Sequence, residues 1–328
     1  MPPNIAISTV SMGWHETHTL EWKIQAAKQA GFEGIELFID DVDAFCRRHG
    51  ISRVQAGSRI SQLCANADLT ILCVGSLDNF EGEPTPLQDR LRIAIEWLDM
   101  AHELRTDVIQ IPSNDNKNAI GDESVIVSDF QALSDLGLKR QPPISFAYEA
   151  LGWGTHVADW EASLRIVQLV GRSNFGLCLD TYHILSRLWA DPRAHSGMRP
   201  GGRAALRDSL QRFLELCPKD KIIYMQLSDA ERMSPPILPG HPAYHEDKDG
   251  THSWCTYGRL FPFEGEHGAY LPMKEIMSAW LEGSGYRGWV SMEVFHRSMK
   301  EKDLGPDYWA HRGRVSWDKA TQRVRSRG

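Results

Sequence analysis

The chain has 328 residues, 42% of them hydrophobic and 24% charged, enough for one large core of the size that α/β barrels use. Its formal net charge of -7 comes without any block of like charges, which argues against nucleic acid and against an anionic membrane surface as partners and leaves a small molecule as the expected one. Six cysteines (Cys46, Cys64, Cys73, Cys178, Cys217, Cys255) form no C-x-x-C pair, the first ten residues lack a basic and apolar leader pattern, and no later stretch has the length of a membrane span, so the expectation is a cytoplasmic protein with reduced thiols.

Taken in order, Ile5 to Val10 predicts a first strand and Leu20 to Ala30 an amphipathic helix stopped by Gly31. Gly34 to Phe38 predicts strand two, Asp41 to His49 and Ser58 to Ala67 predict helices, and Thr70 to Val74 predicts strand three. Leu87 to Leu104 is the longest helical pattern, with Ile93, Ile95, Trp97, Leu98 and Ala101 expected on its apolar face, and it leads to a strand at Val108 to Ile111. A helix at Val125 to Leu138, a strand at Ile144 to Tyr148 and a helix capped by Asp159 come next. Strands at Phe175 to Leu179, Ile222 to Leu227 and Trp289 to Val294, the last after a helix at Met273 to Glu282, bring the count to eight. Eight strands alternating with helices, with no Gly-rich dinucleotide turn after the first, predict an α/β single-domain (β/α)8 TIM barrel spanning residues 1–328. The rhythm breaks at 228–270, a long Pro-, His-, Gly- and Asp-rich stretch on the catalytic side, and a charged helix and tail are expected from about residue 300.

Four strands end in oxygen-bearing side chains. Ile144-Ser-Phe-Ala-Tyr-Glu149, Phe175-Gly-Leu-Cys-Leu-Asp180, Lys221-Ile-Ile-Tyr-Met-Gln226 and Trp289-Val-Ser-Met-Glu293 each run through apolar residues to a carboxylate or amide at the barrel mouth. Such a set suits a hard divalent cation, Mg2+ or Mn2+, better than zinc, which takes more nitrogen and sulfur. His183, three residues after Asp180, is placed to act over that site as a general acid or base, with Glu149 as its partner in catalysis. Arg90, Arg92 and Arg259 are candidates for an anionic substrate group, since guanidinium matches carboxylate geometry. His156 and, in the long loop, Ser253 complete the candidate substrate contacts.

The segments Tyr148-Glu-Ala-Leu-Gly-Trp-Gly-Thr-His156, Asn174-Phe-Gly-Leu-Cys-Leu-Asp-Thr-Tyr-His183, Tyr224-Met-Gln-Leu-Ser-Asp-Ala-Glu-Arg232, Arg259-Leu-Phe-Pro262 and Met292-Glu-Val-Phe-His-Arg-Ser-Met299 resemble the fungal 3-dehydroshikimate dehydratases of the xylose-isomerase-like TIM-barrel superfamily. The resemblance implies that Glu149, Asp180, Gln226 and Glu293 bind the divalent metal and that His183 acts beside the substrate. It also implies a hydro-lyase that dehydrates a cyclic keto compound through an enolate. A ketose isomerase or epimerase with the same ligands, or a non-catalytic binding relative, is the alternative, and nothing in the chain argues for or against a homo-oligomer. Two segments depart from the family pattern: Val74-Gly-Ser-Leu-Asp-Asn-Phe-Glu-Gly82 after strand three, and Ser253-Trp-Cys-Thr-Tyr257, where Thr256 and Tyr257 stand in place of an arginine and an asparagine. The pocket is therefore expected to have one cation fewer and to turn over 3-dehydroshikimate poorly.

Overall fold

The computed structural model describes residues 3–325. Its strands in chain order are β1 (Asn4–Ser8), β2 (Gly34–Phe38), β3 (Thr70–Gly75), β4 (Val108–Pro112), β5 (Ser145–Glu149), β6 (Phe175–Asp180), β7 (Ile222–Leu227), β8 (Asp229–Ala230), β9 (Arg259–Leu260) and β10 (Trp289–Met292). Eight of them are parallel and close into a barrel in the order β1-β2-β3-β4-β5-β6-β7-β10, with β10 bonded back to β1, while β8 and β9 form a separate antiparallel pair. This is the TIM barrel that the alternation predicts. Among the described residues no helix is long and apolar enough to cross a membrane.

Strand alternation sets what faces the barrel axis and what faces the helices. Ile5, Ile7, Ile35, Leu37, Ile109, Ile111, Leu177, Leu179, Met225 and Leu227 belong to the main core under the helices, each such burial contributing roughly 1.5–3 kcal/mol. The alternate positions Ala6, Cys73, Val108, Ala147, Cys178 and Tyr224, small except for Tyr224, belong to a second cluster and come from six strands. Two residues further along the same faces stand Gln110, Glu149, Asp180 and Gln226, so a polar layer caps the apolar one at the carboxyl ends of the strands. Gly75 leaves room in that layer, because a Cβ there would lie 2.7 Å from the Gln110 side-chain oxygen.

Several expectations need correction. β1 ends at Ser8, because Thr9–Met12 turns into a 3₁₀ helix. The helix expected from Ser58 begins at Arg53, where Ser52 and Gln55 form a reciprocal capping box. Ile93 and Ile95 lie on the exposed side of the Leu87–Leu104 helix, whose core face is Ala94, Trp97, Leu98 and Ala101. The helices Thr181–Leu188 and Gly202–Leu216 carry the chain from β6 to β7, and neither is among the predicted elements. The helix from Met273 is α-helical only to Met277 and continues as a π-helix over Ser278–Gly283. The long 228–270 stretch is partly ordered by the β8–β9 pair and the helix Gly250–Gly258. The charged C-terminal helix is Pro306–Arg325, and the tail beyond it lies outside the described residues. The six cysteines are free, four of them buried.

Candidate active site

Asp180 ends β6 and also caps the helix that follows: its Oδ1 accepts the Tyr182 backbone N–H at 2.6 Å, while its Oδ2 accepts from Arg259 Nη2 at 2.6 Å. Glu149, ending β5, takes a short hydrogen bond from Gln110 Nε2 on Oε2, and its buried Oε1 has no hydrogen-bond partner. Glu293 follows β10 directly, and its Oε2 lies 3.3 Å from Arg259 Nη1. On the neighbouring side of the mouth Glu36, in the middle of β2, accepts Tyr224 Oη at 2.6 Å and Gln226 Nε2 at 2.8 Å, both on Oε1. Gln226 in turn accepts the Cys178 thiol on its own Oε1 at 3.2 Å. All four carboxylates are buried.

Four acids in one low-dielectric space repel one another. Burial, then the charges of Glu293 and Asp180, push the Glu149 carboxyl well above the usual range, and burial followed by Glu36 does the same to Glu293. Asp180 and Glu36 are also raised, by burial first, although Arg259 and the Tyr182 N–H work against the shift at Asp180. Among the described residues Arg259 is the one guanidinium on the cavity wall, and it is held in place on both faces, its carbon 4.9 Å from the Tyr182 ring and 5.3 Å from that of Phe295. One arginine among four carboxylates leaves an excess of negative charge. Together with the unpartnered Oε1 of Glu149 and Oε2 of Glu36, this environment fits a divalent cation bound through oxygen.

His183 is fully buried, and burial, followed by the charge of Arg259, keeps its pKa well below the ordinary value, so the ring is neutral. Its Nδ1 accepts the Gly152 backbone N–H at 3.0 Å, so the proton of the neutral ring sits on Nε2. Nε2 lies 3.4 Å from Glu149 Oε1 and 3.7 Å from Asp180 Oδ2. In this tautomer His183 is a hydrogen-bond donor toward the carboxylates. It is not free to ligate a metal through that nitrogen.

A cavity of about 270 Å³ opens above these groups, lined by Glu36, Gln110, Glu149, His183, Arg259 and Glu293 at its floor and by Asp78, Asp115, Trp153, His252, Cys255 and Thr256 nearer its rim. Of the sequence candidates, Glu149, His183, Arg259 and Glu293 line it, and Asp180 and Gln226 reach it through their bonds to Arg259 and Glu36. Four candidates do not reach it. Arg90 pairs with Asp129 at 2.6 Å and donates to the carbonyls of Phe80 and Thr85, acting as a strut beneath the β3 loop. Arg92 pairs with Asp89 on the surface. His156 is exposed and bonds the Ala119 carbonyl at 2.8 Å, and the buried hydroxyl of Ser253 has no partner. Arg259 corrects the expectation differently: it faces the cavity, but its N–H groups go to Asp180, Ser228 Oγ and the Glu293 carbonyl, leaving no open fork for a substrate carboxylate. Thr256 does line the cavity, whereas Tyr257 packs against Arg297, 4.6 Å from its ring centre.

Glu36, Gln110, Trp153 and His252 are absent from the sequence-based candidates. Glu36 and Gln110 carried the same signal as the others, a polar residue two positions after a small one on the axis-facing side of a strand, but they lie within strands and not at their ends. His252 stacks on Trp153 at 4.5 Å, and Trp153 meets His183 edge-on at 4.8 Å, contacts between distant loops that no local pattern announces.

A parallel eight-stranded barrel with a buried acidic centre at the carboxyl ends of its strands is the plan of enzymes that act on small oxygenated molecules at the barrel mouth. The chain belongs to the xylose isomerase-like TIM barrel family, whose model matches residues 24–315. It is 40% identical over 99% of its length to the 3-dehydroshikimate dehydratase of Neurospora crassa, covering 95% of that protein. Among solved structures it resembles a xylose isomerase-like TIM barrel/4-hydroxyphenylpyruvate dioxygenase fusion protein (TM-score 0.77, 26% identity, all of this chain and 44% of that one). It also shares its fold with an IOLI protein solved with a bound zinc atom (TM-score 0.73, 16% identity, 98% and 99% of the two chains).

Proposed function

We propose that this protein is a divalent-metal-dependent hydro-lyase that dehydrates 3-dehydroshikimate or a closely related cyclic keto compound. The observation that carries the reading is the Nε2–H of His183 held 3.4 Å from an unpartnered Glu149 oxygen at the floor of the cavity. The near-full-length relative named as a 3-dehydroshikimate dehydratase supplies the substrate class. Glu149, Asp180, Gln226 and Glu293 would hold the metal, Mg2+ or Mn2+ by the hardness of their oxygens. When bound, it supplies Lewis-acid stabilisation of the charge that develops on the ketone oxygen.

The chain's own groups account for the protons. Dehydration breaks a C–H bond beside the ketone and the C–O bond of the β-hydroxyl, and tautomerisation of the ring then gives an aromatic product. Glu149 takes the carbon's proton and, once protonated, gives it to the departing β-hydroxyl, which leaves as water, so the carboxylate ends as it began. The neutral His183 keeps its Nε2 proton and faces that carboxylate at 3.4 Å, where it steadies the oxygen that carries the proton. Trp153 and His252 close one side of the cavity and keep bulk water from the floor. With Arg259 committed to Asp180 and Glu293, recognition of a substrate carboxylate falls to rim groups such as Ser76, Asn79, Ser113 and His252. Incubation with 3-dehydroshikimate and Mg2+ or Mn2+ should raise the ultraviolet absorbance of an aromatic product. A ketose epimerised under the same conditions, with no absorbance change from 3-dehydroshikimate, would replace the lyase reading by an isomerase.

A further inference from the structure

Gln226 is the one proposed metal ligand whose two ends are chemically opposite. Its amide oxygen can ligate a cation and its NH2 cannot, so a flip of the side chain by half a turn converts a ligand into a repulsive group. Two neighbours at opposite ends of the amide select the same orientation. The Glu36 carboxylate, which can only accept when ionised, takes Nε2–H at 2.8 Å, and the Cys178 thiol donates to Oε1 at 3.2 Å. Glu36 is itself held: Tyr224 Oη donates to the same Oε1 at 2.6 Å, and Tyr224 and Gln226 are two residues apart on the axis-facing side of β7. Both bonds are buried, with Glu36 4% exposed and Gln226 fully buried.

We infer that Glu36 is a positioning residue that locks the Gln226 amide with its oxygen available to the metal. This rests on the metal reading above. A thiol is a weak donor, so Cys178 alone does not hold the amide; the 2.8 Å bond to Glu36 Oε1, an atom that Tyr224 Oη already fixes, does. The isosteric change Glu36→Gln removes the obligatory acceptor and lets Gln226 flip. Exchanging the two groups, Glu36→Gln with Gln226→Glu, puts the carboxylate at 226 and an amide donor at 36, restoring an oxygen ligand at unchanged total charge.

The test is a titration of the metal-depleted protein with Mn2+, reading free ion by electron paramagnetic resonance and folding by circular dichroism. Glu36→Gln should weaken Mn2+ binding by about ten- to a hundred-fold, the range of one charged hydrogen bond, and the exchanged double variant should recover most of it. Wild-type-like affinity in Glu36→Gln, or a loss that the exchange does not recover, overturns the positioning role while leaving the metal site standing. Absence of Mn2+ binding in the parent overturns both. If Glu36→Gln does not fold, Tyr224→Phe takes its place: losing one of the two donors on Glu36 should weaken binding by at least about three-fold, and unchanged affinity rejects the role.

Discussion

The floor and the rim of the cavity are built in different ways. On the floor each polar group comes from a barrel strand or the residue after it, Arg259 and His183 excepted, and most are tied to another: Glu36 to Tyr224 and Gln226, Glu149 to Gln110, Asp180 and Glu293 to Arg259. The rim comes from loops, with Trp153, His252 and Thr256 meeting across the 149–156 and 228–270 segments. A strand fixes a side chain to within a fraction of an ångström and a loop does not, so the floor is suited to chemistry and the rim to choosing the molecule.

If that division is right, substitutions on the floor should strike turnover and those on the rim should strike substrate choice. The largest effect is expected from Asp180→Asn, which keeps the helix cap but removes the charge facing Arg259. Metal content and product formation should both fall below detection. Asp180→Ala is the poorer probe, because it also loses the cap, at a cost of about 0.5–2 kcal/mol. Next comes His183→Gln, which should lower kcat by about 10²–10⁴-fold with metal content unchanged. Lost metal in that variant would make His183 a ligand and contradict the tautomer set by Gly152.

Rim effects should be smaller and appear in kcat/KM. Thr256→Arg, restoring the cation that the resemblance to the dehydratases leads one to expect, should raise kcat/KM on 3-dehydroshikimate by about ten-fold or more. The parent should lie below about 10⁴ M⁻¹s⁻¹. A parent already above that value would mean that the rim reads the carboxylate without an arginine. The smallest effect concerns the scaffold behind the rim. Glu231 is held down to about 2, burial opposing and His296 and Arg297 outweighing it. A lowered carboxylate contributes stability in full above its ordinary value of 4.5 and loses it as the pH falls toward 2. The melting-temperature gap between the parent and Glu231→Gln should therefore narrow from pH 6 to pH 3, with kcat unaffected at pH 7.

The sequence exposed the floor far better than the rim, for a physical reason. Barrel strands alternate with a period of two and end at the mouth, so Glu149, Asp180, Gln226 and Glu293 announce themselves as polar ends of apolar runs. Glu36 and Gln110 obey the same period but sit two residues short of the strand end, where a search for terminal residues passes over them. Arginines carry no such signal. Arg90, Arg92 and Arg259 look alike in the chain, and only tertiary structure distinguishes a strut on Asp129, a surface pair with Asp89 and a buried clamp on two carboxylates. The helix Thr181–Leu188 is hidden for another reason: it is short, starts directly after the last residue of β6 with no loop between, and buries its polar residues Thr181, His183 and Ser186 together with the apolar ones.

The most direct measurement is a metal titration of turnover. Protein stripped with a chelator and assayed on 3-dehydroshikimate should form no aromatic product, and adding Mn2+ or Mg2+ should restore absorbance growth, saturating at about one bound ion per chain. Full product formation by the stripped, verified metal-free protein would contradict the account, because four buried carboxylates and one arginine would then be performing the dehydration without the cation their geometry fits.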